Sequence, residues 1–406
     1  MRLLDRHDLL MLVNPGAFEF PPRGYGGGER FTLQVARAMG RLMKVTVIDF
    51  GAEAKSLEAG GVPVVRVRTR LRLRANTKFS HYTWNAVVTS WALFHEVLAR
   101  GWKQEPRFIY FHNSLQFSIF RRMQKTFMPR LDLVYIFRLQ SPKWMNYQKV
   151  PWWKRVLAVP TELYSTRSAD VVLFESDAVR QSIERHWEVS RNNLVVPNTV
   201  DLDYFSRPRW GRVMYPFGVF YGARIKRQKN QLAVVRAFRE VVDHEPRAVL
   251  LLMGDAEEKD YLMEVKNEVI KLKLSSWVTF KPSGTIEELN RERAKYPIHI
   301  VYSNYTGFDV AVGETMSMGA ATIFSDIPTL RGIAKHEFNC LLVPPNDPER
   351  LAQGILKLLT NSDFAESLGL RARETASEQL SFSRYLVDFI SSLENTIASQ
   401  TTTARA

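Results

Sequence analysis

Cysteine is what this sequence has least of: Cys340 is the only one in 406 residues. One thiol excludes a disulfide framework and any metal site built from several cysteines. Long apolar runs are missing as well. No stretch approaches the roughly 18–20 residues that span a bilayer. The Leu9–Val13 run follows Asp5 and Asp8, which makes it too short and too acidic for a signal peptide. Internal repeats and low-complexity tracts are absent. The expectation is a soluble, cytoplasmic protein. Hydrophobic residues at 45% and charged residues at 24% exclude disorder as the overall state, and the length suits two domains of about 200 residues each.

Acidic residues are scarce in the first half. Residues 1–200 carry 30 Lys and Arg against 16 Asp and Glu, and the remainder carries 26 of each, so the whole net charge of +14 lies in the first half. A one-sided field favours an anionic partner: phospholipid headgroups, nucleic acid or a phosphorylated substrate.

Short apolar runs alternate with amphipathic stretches of helix length. Predicted strands in the first half are Leu9–Val13, Val45–Asp49, Val62–Val67, Phe108–Phe111, Val134–Arg138 and Val171–Phe174. In the second half they are Phe217–Tyr221, Ala248–Met253, Val278–Phe280, Ile298–Tyr302, Ala321–Phe324 and Cys340–Val343. This alternation predicts an α/β protein with two parallel sheets in two Rossmann-like domains. The boundary is expected within Pro197–Tyr215, giving domains of 1–200 and 201–380. Asp347-Pro348-Glu349 reads as a helix start, with a cap, a first-turn proline and an acid. Apolar residues at helical spacing from Ser381 to Ile397 predict a closing helix over 381–399, and 400–406 reads as a frayed tail.

Three segments carry candidate chemistry. Gly24-Tyr25-Gly26-Gly27-Gly28-Glu29-Arg30 lies between the first strand and a helix. Successive glycines open backbone N–H groups to a phosphate, although a flexible turn has the same composition. Tyr221 to Asn230 runs from a strand end into a helix and carries Arg224 and Lys229 five residues apart. A guanidinium fork and an ammonium at the carboxyl edge of a sheet suit a diphosphate, and a solvated basic turn is the alternative. Ser303 to Gly319 leaves a strand and enters a small-residue helix, with Glu314 just inside it. There a carboxylate can accept hydrogen bonds from ribose hydroxyls.

In order along the chain, these segments resemble the retaining glycosyltransferases of the GT-B fold, specifically glycosyltransferase family four. The resemblance runs through Tyr25-Gly26-Gly27-Gly28-Glu29-Arg30, Pro197-Asn198-Thr199-Val200-Asp201, and Gly222-Ala223-Arg224 with Lys229. It continues through Gly307-Phe308 leading to Glu314, Ser325-Asp326-Ile327-Pro328, and Asn339 to Pro344 with Asp347. It implies two Rossmann-like domains facing each other across a deep cleft, with the C-terminal helix returning to the N-terminal domain. The acceptor would lie mainly on the first domain and a nucleoside diphosphate sugar donor on the second. Arg224 and Lys229 would meet the diphosphate, Glu314 the ribose, Gly26, Gly27 and Gly28 the phosphate edge, and Thr306, Gly307 and Phe308 the donor sugar. No metal or other cofactor is implied.

Two positions depart from the family pattern. Thr306 stands where a glutamate is usual eight residues before Glu314, with Asp309 in place of a glycine; Gln140 stands where a histidine is usual. Gln140, Asp309 and the nearby His112 are therefore the candidate catalytic residues. Glutamine hydrogen-bonds a sugar but transfers no proton. That leaves two function classes open: a transferase, or a nucleotide- and sugar-binding protein that keeps the fold without turnover.

The excess charge has its own candidates. Arg66, Arg68, Arg70, Arg72 and Arg74 alternate with Val67, Thr69, Leu71 and Leu73, so an extended chain would align all five on one face. Trp152, Trp153, Lys154 and Arg155 add tryptophan beside basic charge, a composition that touches lipid headgroups from one side. The expected acceptor is anionic or lipid-linked, at the inner face of a membrane. No nucleic-acid recognition motif is present.

Overall fold

The computed structural model describes residues 8–12, 27–59, 61–73, 79–99, 107–139, 152–304 and 309–403. The chain forms two compact units, one built mainly from Gly28–Pro197 and Phe382–Ala406, the other mainly from Asn198–Ser381.

The first unit holds eight strands: β1 (Asp8–Leu12), β2 (Lys44–Gly51), β3 (Lys55–Ala59), β4 (Val62–Arg68), β5 (Arg107–Phe111), β6 (Leu133–Leu139), β7 (Val171–Phe174) and β8 (Asn193–Val195). Their order is β3-β4-β2-β1-β5-β6-β7-β8. Helices α1 (Gly27–Met39), α2 (Phe79–Ala99), α3 (Ser114–Phe127), α4 (Trp152–Ser168) and α5 (Asp177–Glu184) run between them. The central strands β5, β6 and β7 are apolar and buried on both sides, as strands covered on two faces must be. Phe108 and Tyr110 of β5 enter one core while Ile109 and Phe111 enter the other.

Two strands were not predicted. β3 pairs antiparallel with β4, joined through a turn at Gly61 with φ 82°; its sequence, Lys-Ser-Leu-Glu-Ala, is polar enough to pass for a loop. β8 is only three residues long. The predicted row of five arginines is also corrected. β4 ends at Arg68, the Thr69 amide and hydroxyl both donate to the Gly51 carbonyl, and Arg70 lies in the bend that follows.

The second unit is a six-stranded, fully parallel sheet of β9 (Gly218–Gly222), β10 (Val249–Met253), β11 (Val278–Lys281), β12 (Ile298–Val301), β13 (Ala321–Ser325) and β14 (Leu341–Val343). The order is β11-β10-β9-β12-β13-β14. Its helices are α6 (Arg207–Trp210), α7 (Gln231–His244), α8 (Lys259–Lys271), α9 (Ile286–Ala294), α10 (Val310–Ser317), α11 (Pro348–Thr360) and α12 (Ser362–Gln379). α11 starts as its sequence indicates: the Asp347 carboxylate accepts from the Arg350 amide at 3.0 Å, with Pro348 in the first turn. Small residues let α10 sit close, and the Gly313 Cα faces Val200 so tightly that a Cβ would lie 3.3 Å from it.

The chain then returns to the first unit through α13 (Phe382–Thr403). Phe389, Leu393 and Ile397 are buried in that unit's core, where each contributes about 1.5–3 kcal/mol. Asn192 fixes the helix by donating to Thr396 Oγ1 at 2.6 Å. Helix continues to Thr403, past the Gln400 at which fraying was expected. Among the described residues, no helix is long and apolar enough to cross a membrane.

Candidate active site

In each sheet the strand order reverses at one place, and open α/β sheets bind ligands in the crevice beyond the carboxyl ends of the strands there. In the second unit the reversal falls between β9 and β12. The segment after β9 makes a short 3-10 turn at Arg227–Lys229, passes Asn230 in the left-handed region (φ 52°) and enters α7. The segment after β12 leads to α10. The two are stapled together: the Asn304 amide and the Ser303 hydroxyl both donate to the Gln228 carbonyl, at 3.0 and 2.9 Å. Asn230 Nδ2 donates to Asn304 Oδ1 at 3.0 Å. The turn at Ala223–Arg224 is packed so closely by the β10 end that a Cβ on Gly254 would fall 2.0 Å from the Ala223 carbonyl oxygen.

Arg224 and Lys229 both lie on this β9 segment, each with a carboxylate. Arg224 donates to Glu257 at 3.0 Å, and Lys226 shares the same acid at 3.2 Å. Burial would raise Glu257, but Lys226 and Arg224 outweigh it and hold the carboxyl below its usual range. The Lys229 ammonium is paired with Asp309 Oδ2. The other Asp309 oxygen accepts from the Ala311 amide at 3.2 Å and so caps α10. The structure thus joins a candidate diphosphate cation to a candidate catalytic acid and a helix N-terminus.

Glu314 is placed differently from the accessible acid expected. It lies one turn inside α10, 1% exposed, and accepts from Arg293 of α9 at 2.9 Å; the arginine side chain is also 1% exposed. Arg293 stands over the Phe220 ring, 5.9 Å from its centroid, and its carbonyl bonds His299. Burial, then Arg207 and Arg293, hold the His299 imidazole well below its ordinary range, so it stays neutral. Sequence reading missed Arg293. The available signal was its place on the inward stripe of α9 with Leu289, Asn290 and Ala294, because a buried guanidinium requires an acid.

In the first unit the order reverses between β1 and β5. Gly27 and Gly28, expected in a loop, are the first residues of α1. As a first helical turn they still direct backbone N–H groups outward. His112 follows β5, and its Nε2 lies 3.0 Å from the Thr32 hydroxyl of α1. The ring sits edge-on to Tyr110 at 4.8 Å. Burial and the Arg138 guanidinium push His112 down to about 3. A group with that affinity is a neutral imidazole near pH 7, suited to hydrogen bonding rather than to holding a proton for transfer. Cys340 is buried, its thiol raised by burial to about 12, and is inert.

Gly26, Arg74, Gln140, Thr306, Gly307 and Phe308 lie outside the described residues, as do the side chains of Trp152, Trp153, Lys154 and Arg155. Arg66 is paired with Asp49 at 2.7 Å, whereas Arg68, Arg70 and Arg72 are exposed.

Comparison with known proteins matches both halves to families. Residues 25–204 match Glycosyltransferase Family 4, and residues 206–375 match Glycosyl transferases group 1. The chain belongs to the GT-B glycosyltransferases. An uncharacterized glycosyltransferase of Methanocaldococcus jannaschii is 23% identical over 164 residues, 40% of this chain and 41% of that protein. A second from the same organism is 23% identical over 211 residues, 52% and 56% of the two chains. The chain spans from 28% to 56% of the length of the curated relatives it matches. Among solved structures it is similar to sucrose-phosphate synthase from Thermosynechococcus elongatus, with TM-score 0.77 and 18% identity over 99% of this chain and 100% of that one. It is also similar to Anabaena HepE in complex with UDP and glucose, with TM-score 0.72 and 16% identity over 95% and 99%. These likenesses establish the fold of the chain.

Proposed function

We propose that this protein transfers a sugar from a nucleoside diphosphate sugar to a glycan or lipid-linked acceptor, with retention of anomeric configuration and without a metal. The observation that carries the reading is the placement of Arg224 and Lys229 on the segment after β9, at the reversal of strand order, with Lys229 paired to the Asp309 that caps α10. Two cations and a helix terminus are what a departing diphosphate needs, and fixed charges of this kind are a principal source of rate enhancement. The uridine nucleotides in the HepE structures make a uridine donor the first to test.

The diphosphate would take Lys229 from Asp309, leaving that carboxylate beside the donor sugar. Gln140 and neutral His112 would orient sugar or acceptor hydroxyls, and Gly26, Gly27 and Gly28 would supply amides at the phosphate edge. Thr306, Gly307 and Phe308 would line the sugar. For Glu314 to reach a ribose its carboxylate would have to leave the buried pair with Arg293. The acceptor is proposed to be anionic or lipid-linked, met at a membrane surface by the basic first unit. The charge of residues 1–200 and the exposed Arg68, Arg70 and Arg72 support this.

The test is a panel of nucleoside diphosphate sugars with a broad acceptor mixture, read by nucleotide release and by NMR of the product anomer. Transfer with retained configuration is expected. Binding without transfer or hydrolysis would replace the reading with that of a nucleotide-binding protein.

A further inference from the structure

α2 carries one charged residue, Glu96 in its last turn, and it is apolar well beyond its buried face. Val87, Trp91 and Leu98 recur at helical spacing and are 51%, 49% and 52% exposed. Opposite them, Leu71 is 53% exposed after the end of β4. Between α2, β4 and α3 lies a groove of about 1000 Å³ whose apolar lining includes Val67, Val88, Trp91 and Met123. That volume is at the upper end of the range, about 300–1,000 Å³, that small-molecule sites occupy.

The rim is basic on one side. Lys55, Arg66, Arg68 and Arg70 all border the groove, and among the described residues Glu96 is the one carboxylate that does. Arg66 is committed to Asp49. Arg68 and Arg70 have no carboxylate partner among the described residues. The indole of Trp84 donates to the Arg72 carbonyl at 3.1 Å, which ties the arginine-bearing bend to α2. Apolar walls beneath unpaired guanidinium groups complement a molecule with two ends: an apolar chain and an anionic head.

We propose that this groove binds a lipid phosphate, with its hydrocarbon chain along α2 and its phosphate at Arg68 and Arg70. The proposal rests on the lipid-linked acceptor reading and makes the groove the seat of the acceptor's lipid. Calorimetry on the full chain tests it, with dodecyl phosphate below its micelle concentration, dodecanol and inorganic phosphate as probes. Dodecyl phosphate should bind at least 100-fold more tightly than inorganic phosphate and at least 10-fold more tightly than dodecanol. Val87→Asp, at an exposed position that folding tolerates, should weaken dodecyl phosphate at least 10-fold and leave UDP affinity within twofold; Val87→Ser serves if the aspartate variant misfolds. Arg68→Ser with Arg70→Ser should bring dodecyl phosphate to the level of dodecanol. Dodecyl phosphate binding no more tightly than inorganic phosphate, or binding unchanged in both variants, overturns the proposal. Intact amphiphile binding in a protein that transfers sugar only to soluble acceptors would instead sink the acceptor reading and leave the groove standing.

Discussion

Replacing Arg293 by methionine removes a guanidinium of which 1% is exposed and leaves the Glu314 carboxylate, equally buried, without that partner at 2.9 Å. Methionine roughly fills the space of the arginine stem, so the cost is electrostatic rather than a cavity. Breaking a buried pair from one side costs about 3–5 kcal/mol, because a charge is stranded in a poorly polarisable interior. The second unit is built mainly from Asn198–Ser381. For a domain of that size, each kcal/mol moves the melting temperature by roughly 2–4 °C, so a drop of about 6–20 °C is expected. Glu314→Gln alone should cost less, since an amide still accepts from the arginine. The double variant Arg293→Met, Glu314→Gln should be more stable than Arg293→Met by about 2 kcal/mol or more, which is the sign of direct coupling. The assay is thermal unfolding, with hydrogen exchange of the β12 and α10 amides to assign the transition to the second unit. An Arg293→Met drop under about 3 °C, or losses that simply add in the double variant, would refute the pairing as a structural determinant.

The other predictions concern the two reversal points and the membrane. Folding holds His112 near 3 against an ordinary 6.5, so between those values the unfolded chain binds the extra proton. This contribution is complete above about pH 6.5 and falls by up to ~1.4 kcal/mol per pH unit towards pH 3. His112→Gln should flatten the acid limb of a stability–pH curve, and an unchanged limb would show that the histidine is not its source. Asp309→Asn keeps a cap for α10 but releases Lys229; the partly exposed pair is worth about 1 kcal/mol at most, so UDP should bind up to about fivefold more tightly. Weaker UDP binding in that variant would mean that the acid assists the nucleotide. The protein should co-sediment with anionic vesicles, little with neutral ones, and be released by high salt, as each engaged basic residue contributes about 1 kcal/mol over a screening length of about 8 Å. Equal, negligible sedimentation with both vesicle types at low salt would remove the membrane from the account.

Much of the frame was legible because it is written locally. Strands covered on both faces are short unbroken apolar runs, and Asp347-Pro348 announces a helix within three residues. The spacing of Phe389, Leu393 and Ile397 identifies a helix that must find a core. What was not legible depends on partners distant in sequence. Arg293 meets Glu314 across 21 residues and Thr32 meets His112 across 80, and no local pattern announces either. The arginine row failed for a different reason: alternation implies a strand only while the pairing lasts, and after the Thr69 amide bonds the Gly51 carbonyl the chain bends at Arg70. Gly27 and Gly28 entered a helix despite their poor propensity, as a first turn permits.

Calorimetric titration of UDP into the wild type and into Arg224→Ala and Lys229→Ala tests the donor site at its two cations. Loss of a charge-assisted contact costs about 1.5–3 kcal/mol, so each variant should bind roughly 10- to 150-fold more weakly than the wild type. Wild-type binding retained at full strength in both variants would contradict a nucleotide site between β9 and β12.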